Sequence, residues 1–192
     1  MRFDAQIGAL RSAYRINNID AIIETSSKVI NNPLASDEQK ANANFYIGKI
    51  AFDRKDYDKA IAAFNQVIRN SDNELTAEAR YLMAYMYYDR RELDTAKQIC
   101  INANKESSSY PIWVARSILL LADILTEQND LFNARAALEA IIENFTQDPT
   151  IVQQAREKLI KVNAAIDKDS RLSTDPVDGL SLIHISEPTR PY

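Results

Sequence analysis

Apolar and polar residues alternate with a helical period along most of the chain. The clearest stretch is residues 44–68, NFYIGKIAFDRKDYDKAIAAFNQVI, in which apolar side chains recur three or four residues apart on either side of a short polar segment. That spacing places them on one face of an α-helix, so the stretch predicts two amphipathic helices joined by a tight turn at 54–56. Small residues at Gly48 and Ala60 predict that the two helices approach closely.

The same two-helix pattern occurs four times. Copies that align with 49–68 without a gap lie at residues 11–30, 85–103 and 123–142. The equivalent position near the start of each second helix recurs every 36 to 38 residues and is held by Ile22, Ala60, Ala96 and Ala134. A single pair of helices cannot bury its apolar face alone, so the recurrence predicts a solenoid in which neighbouring pairs stack.

The residues at fixed positions of these units carry a family resemblance. In the second unit they are Ile47, Gly48, Tyr57, Ala60, Phe64 and Val67, with comparable residues in the third and fourth units. On these positions the chain resembles the tetratricopeptide repeat family. The resemblance implies an all-α superhelix of about four helix-turn-helix repeats within residues 1–167. The predicted units are about 3–34, 41–74, 77–110 and 115–148.

The pattern changes toward the C-terminus. A further helix is predicted over 149–167, either as a terminal cap or as the first half of another repeat. Residues 168–192 are mostly polar and contain Pro and Gly, which predicts a disordered tail. Within it, LSLIHISEPTR resembles a translation of the transposase adapter used in sequencing libraries, so we interpret 180–192 as a read-through artefact. We then expect the natural chain to continue past about residue 179, and Met1 can be internal to a longer protein.

Composition and charge favour a helical protein without catalytic chemistry. Hydrophobic residues make up 46% of the chain, and only three residues are Gly, which favours helices over a sheet. The net charge of -4 gives no electrostatic reason to expect nucleic acid as a partner. No apolar run reaches the roughly 18–20 residues of a membrane span, so direct membrane insertion is not expected.

Side chains able to carry chemistry are few. The single histidine, His184, lies in the suspected artefact, and Cys100 lies at a core-facing helical position that predicts a small buried hydrophobe. No metal-ligand spacing, phosphate-binding loop or nucleophile–base set is present. We therefore expect no cofactor, no metal and no enzymatic activity.

The candidate binding surface comes from the resemblance. In tetratricopeptide arrays the first helix of each unit lines the concave groove. The residues placed there by analogy are Arg11, Tyr14, Phe45, Lys49, Phe52, Tyr81, Tyr85, Tyr88 and Asp123. Three of them, the tyrosines, share one helical face and offer rigid contact area with hydroxyl groups. They can equally pack on a neighbouring second helix or on a further repeat, and the sequence leaves both readings open.

The two cations of this set, Arg11 and Lys49, are expected to pair with an acidic group of a bound peptide. The resemblance thus implies a non-catalytic protein-interaction scaffold that binds a peptide or helix and belongs to a larger assembly. Alternatives are a structural segment of a longer solenoid, or a regulatory repeat module of a truncated multidomain protein. Residues 110–145 also resemble modules of repeat-rich proteins of the Bacteroidota, which implies the periplasm or cell envelope. The sequence predicts neither the partner's identity nor the oligomeric state.

Overall fold

A computed structural model describes residues 3–16 and 18–174. All regular secondary structure in these two ranges is α-helical, which confirms the predicted fold class. The helices are α1 (Phe3–Arg15), α2 (Ile19–Ile30), α3 (Asp37–Asp53), α4 (Tyr57–Asn70), α5 (Glu74–Asp89), α6 (Leu93–Glu106), α7 (Pro111–Glu127), α8 (Leu131–Asn144) and α9 (Pro149–Thr174). None of the helices in the described ranges combines the length and apolar content that crossing a bilayer requires.

The helices form hairpins that stack in series. Each helix packs against the next one along the chain, and each odd-numbered helix also contacts the next odd-numbered helix. The odd-numbered helices therefore form one layer of the array, and α2, α4, α6 and α8 form the other. The last helix, α9, contacts α8 and α7, just as α7 contacts α6 and α5. It thus occupies the position of the first helix of a further unit.

The end of α9 differs from the sequence prediction. The helix continues to Thr174, so residues 168–174 are helical, and their assignment to a disordered tail is wrong. The physical reason is that no Pro or Gly interrupts the chain between Pro149 and Pro176, and polar residues alone do not end a helix. Residues 175–192, which include His184 and the adapter-like segment, lie outside the described residues.

Several helices begin with side-chain caps that satisfy free backbone N–H groups. Ser36 Oγ accepts a hydrogen bond from the Gln39 N–H (3.2 Å), and Gln39 Oε1 accepts one from the Ser36 N–H (2.9 Å). This reciprocal pair is a capping box. Asn73 Oδ1 likewise accepts from the Leu75 N–H at 3.0 Å. These local signals place the first turns of α3 and α5, and hence the layer that the odd-numbered helices form.

A pair of facing positions controls how closely the two helices of each hairpin approach. In the second unit the pair is Gly48 and Phe64, and a Cβ atom at Gly48 would lie 2.6 Å from the Phe64 ring. The equivalent buried pairs are Leu10 with Ser26, Ala84 with Cys100, and Ala122 with Leu138. Every pair contains at least one small side chain. The positions Ile22, Ala60, Ala96 and Ala134 are all fully buried, as the repeat register requires.

The turn between the helices of a hairpin has a repeated backbone conformation. Lys55, Arg91 and Asn129 occupy equivalent turn positions and have φ of 58°, 65° and 58°. This left-handed region costs an L-residue with a Cβ about 1–2 kcal/mol, and Asn tolerates it better than Lys or Arg. The tight turn predicted at 54–56 is thus present, and two of the described turns hold a strained long side chain.

The close approach at Gly48 predicts a clash on substitution. Gly48→Ala is expected to lower the free energy of unfolding by about 1–3 kcal/mol, because overpacking at the Phe64 ring outweighs the gain in helix propensity. Chemical denaturation followed by circular dichroism measures the change. Gly8→Ala is the matched control, since a Cβ there meets no atom within 4 Å. The double variant Gly48→Ala/Phe64→Leu should recover part of the loss, and an unchanged midpoint for Gly48→Ala alone would contradict the packing described here.

The positive φ at Lys55 predicts a stabilising substitution. Lys55→Gly is expected to raise the free energy of unfolding by about 0.5–1 kcal/mol, because Gly adopts this backbone region without a steric cost. The control is Lys59→Gly, at a similarly exposed lysine in helical conformation, which should destabilise by about 1 kcal/mol. If both substitutions changed the free energy of unfolding in the same direction, the turn would not be strained.

Candidate functional site

A groove with a volume of about 570 Å³ lies between α5, α7 and α9. Its walls come from one face of each helix. Residues lining it include Tyr81, Tyr85 and Tyr88 of α5, Arg116, Leu119, Leu120 and Asp123 of α7, and Ile151, Gln154, Lys158 and Lys161 of α9. Four of the residues predicted for a binding surface, the three tyrosines and Asp123, therefore line the same groove.

The three tyrosines share one face of α5 because they are spaced i, i+4, i+7. All three are half-buried. The Tyr81 ring lies 5.8 Å from the Trp113 ring, and the Tyr85 ring lies 5.8 Å from the Phe52 ring, measured between centroids. The Tyr88 hydroxyl donates a hydrogen bond to a Glu127 carboxylate oxygen. Each tyrosine thus contacts the first helix of an adjacent unit and also contributes to the groove wall.

The carboxylates in and beside the groove are engaged within the chain. Lys158 Nζ of α9 donates to Asp123 Oδ1 of α7, and both side chains are one-third exposed. Arg91 forms an ion pair with Glu127. The Thr150 backbone N–H donates a hydrogen bond to Asp148 Oδ1 at 2.8 Å. This bond, followed by one from the Thr150 side chain, holds the pKa of Asp148 below its ordinary value. The Glu157 carboxylate accepts a hydrogen bond from Gln153 Nε2 at 2.9 Å.

Cationic side chains also border the groove. The Arg116 guanidinium lies 4.6 Å from the Trp113 ring centroid, which is a cation–π contact. Lys161 has no ion-pair partner within residues 3–16 and 18–174. The groove lining therefore carries both signs of charge: Arg116, Lys158 and Lys161 are cationic, and Asp123, Asp148 and Glu157 are anionic.

Two of the predicted surface residues are not available for binding. Phe45 is only 3% exposed, and its ring packs 5.9 Å from the Phe64 ring in the core, so its assignment to the groove is corrected. The Lys49 ammonium is bonded to Glu78 Oε1 at 2.9 Å, and both side chains are less than one-fifth exposed. Burial alone would lower the pKa of Lys49, but the hydrogen bond and charge of Glu78 raise it above its ordinary value. Lys49 is therefore not a free cation for a peptide.

The remaining predicted residues lie away from this groove. The Tyr14 ring packs on the Tyr46 ring with centroids 5.0 Å apart, and the Phe52 ring stacks on Tyr57 at 6.1 Å. Arg11 is exposed on α1. None of these three residues contributes to the lining of the groove between α5, α7 and α9.

Sequence reasoning missed the contribution of α9. The predicted column of groove residues ended in the fourth unit, whereas Gln154, Lys158 and Lys161 of α9 form the third wall. The sequence did contain a signal for this wall, because Gln154, Lys158 and Lys161 have the same i, i+4, i+7 spacing as the tyrosines of α5. The signal points to the groove only if α9 is the first helix of a further unit.

Cys100 is fully buried, which raises the pKa of its thiol to about 12 and confirms the predicted buried hydrophobe. Among the residues that the structure describes, no group of three or more His, Cys, Asp or Glu side chains is arranged to hold a metal ion. The feature that stands out is instead an aromatic groove on rigid helices, a form suited to holding another molecule.

A series of stacked helical hairpins with a lined groove defines a repeat scaffold of the α-solenoid class. Two family models described as tetratricopeptide repeat match the chain, one over residues 34–74 and 47–100 and the other over 116–147. The chain therefore belongs to the tetratricopeptide repeat family, whose repeats typically mediate protein–protein interactions. Neither a curated protein nor a solved structure gives a significant match to the chain.

The raised pKa values of two tyrosines predict that the protein loses stability at alkaline pH. The pKa of Tyr88 and the pKa of Tyr57 are each raised to about 12, and burial is the larger cause in both. The carboxylate that each phenol donates to also raises its pKa: Glu127 for Tyr88 and Asp89 for Tyr57. Both phenols ionise near pH 10 in the unfolded chain, so the stability they contribute is intact below about pH 10 and is lost as the pH rises toward 12. Tyrosinate absorbance during a pH titration should show a late-ionising fraction. Tyr57→Phe and Tyr88→Phe should each reduce that fraction, and ionisation of all nine tyrosines near pH 10 would contradict the geometry.

Proposed function

We propose that this protein is a non-catalytic scaffold whose groove between α5, α7 and α9 binds a peptide segment of a partner protein. The observation that carries the proposal is the stripe of Tyr81, Tyr85 and Tyr88 along one wall of that groove. Tyrosine is enriched at the residues that dominate binding energy, because its ring is large and rigid and its hydroxyl can hydrogen-bond.

The shape and support of the groove favour a peptide over a flat protein surface. Its volume of about 570 Å³ lies within the range of roughly 300–1,000 Å³ typical of ligand pockets. Three of the lining residues, Leu119, Leu120 and Ile151, are apolar and at most 7% exposed. All three walls are α-helices packed against the second layer, so little ordering of the protein would accompany binding.

A selection experiment tests this proposal. Random twelve-residue peptides displayed on phage are selected on the full chain, and the survivors are measured against two variants. Tyr85→Ala is expected to weaken the peptides at least tenfold, a loss of about 1.4 kcal/mol, because it removes the central ring of the stripe. Phe132→Ala is the matched control, since Phe132 is an aromatic side chain, 76% exposed and outside the groove. It should leave binding unchanged.

Folding of the Tyr85→Ala variant is checked by circular dichroism and thermal melting. Because Tyr85 also contacts Phe52, we expect a modest decrease in the melting temperature with helical content retained. Selected peptides that bind Tyr85→Ala as tightly as the original chain would contradict the proposal. The same conclusion follows if every selected peptide loses affinity for Phe132→Ala instead.

A further inference from the structure

A smaller pocket of about 260 Å³ lies where the end of α6, the first half of α7 and the end of α8 meet. Apolar side chains form much of its wall, among them Val114, Ile118 and Phe145. It shares no lining residue with the groove between α5, α7 and α9. We propose that this pocket is a second binding site, for a flat apolar group that carries one neutral hydrogen-bond donor.

The preceding junction of the repeat shows what fills the corresponding place there. At the junction of the second and third units, the Arg80 side chain is only 12% exposed and reaches the end of α6. Arg80 Nη1 donates to the Glu106 backbone oxygen at 3.4 Å and to Ser107 Oγ at 3.3 Å. Arg80 Nε lies 3.0 Å from Glu106 Oε2. A planar head group with N–H donors therefore occupies this place between the second and third units.

The pocket is the same place one unit further along the array. The residues 38 positions after Arg80, Glu106 and Ser107 are Ile118, Asn144 and Phe145, and all three line the pocket. Isoleucine is much shorter than arginine and has no polar head group. The space that a side chain of the protein fills at one junction is thus an open pocket at the next.

One wall residue departs from the repeat in a way that points to a ligand. Asn104 lies at the position that Ile30, Ile68 and Ile142 hold in the other units, where each isoleucine packs against the core. Asn104 Oδ1 is buried and accepts no hydrogen bond within the described residues. An unpaired buried polar atom costs free energy. Because Asn104 lines the pocket, a ligand that donates a hydrogen bond to this oxygen removes that cost.

The lining also selects the charge and size of the ligand. None of the described residues that line the pocket is Asp or Glu, so a cationic group would lose its hydration without gaining a counter-charge. A neutral N–H or O–H group on an apolar ring avoids this loss. The volume of about 260 Å³ lies just below the range of roughly 300–1,000 Å³ for drug-sized ligands, which suits a single ring system. Indole has this chemistry, either as a free molecule or as the side chain of a partner's tryptophan.

Titration of the full chain with indole, followed by amide chemical shifts in NMR spectra, tests the inference. We expect saturable shifts at the pocket residues, with a dissociation constant on the order of 1 mM or tighter. The matched probes are 3-methylindole, which keeps the N–H, and 1-methylindole, which carries a methyl group in its place. The first should bind like indole and the second about fivefold more weakly, because it cannot donate to Asn104. Equal affinity of the two methylindoles would overturn the inference.

Two variants test the location of the site. Asn104→Ile installs the residue of the other units, and we expect it to raise the melting temperature and to abolish the indole-induced shifts. Ala140→Phe adds a ring at an exposed position of the pocket wall, and we expect at least tenfold weaker indole binding with helical content retained. Phe132→Ala, outside the pocket, should leave indole binding unchanged. Indole binding that is as tight in both pocket variants as in the original chain would overturn the inference.

Capped amino acids distinguish the sources of the ligand. If N-acetyl-tryptophanamide binds and Asn104→Ile abolishes its binding, the result supports the site and identifies a partner's tryptophan as the ligand. If indole binds and N-acetyl-tryptophanamide does not, the result supports the site and identifies a free aromatic molecule. The inference is overturned if N-acetyl-argininamide binds more tightly than indole, or if no probe shifts the pocket residues. The groove function is tested separately, because the two sites share no lining residue.

Discussion

The close contact between the two helices of each hairpin is the constraint on which the rest of this structure depends. At Gly48 the Phe64 ring occupies the space that a side chain would fill, and the other hairpins meet the same constraint with a small residue on at least one side. Because neither helix of a hairpin buries its apolar face alone, successive hairpins stack, and each odd-numbered helix contacts the next odd-numbered helix.

Polar contacts between successive units hold the stacking register. The Tyr57 hydroxyl donates to Asp89 Oδ2 of the next unit at 2.7 Å, and Gln128 Nε2 donates to Asp94 Oδ1 of the preceding unit at 2.8 Å. The ion pair of Lys49 with Glu78 links α3 to α5 in the same way. These polar contacts, whether part-buried or exposed, contribute less free energy than the burial of apolar side chains, because forming them costs desolvation. Their effect is to select one alignment of the units, which also fixes how the groove helices face each other.

The groove follows from this stacking. Because α9 takes the place of a further first helix, it faces α7 and closes the third wall opposite the tyrosines of α5. The contact of Lys158 with Asp123 joins α9 to α7 along that wall. The groove lining is aromatic on the side of α5 and carries charges of both signs on α7 and α9.

The helical period, the recurring small residues and the turn segments determined the fold class and the repeat from sequence alone, because these features act within one hairpin or between adjacent ones. Sequence also placed Tyr81, Tyr85 and Tyr88 on one helical face. The tertiary structure alone decided which residues of that layer stay accessible. Phe45 faces the core and Lys49 is paired with Glu78, while α9 supplies a wall of the groove. The physical reason is that a helical face has a direction set locally, whereas its burial and its charge partners depend on other helices, as Phe45 depends on Phe64 and Lys49 on Glu78.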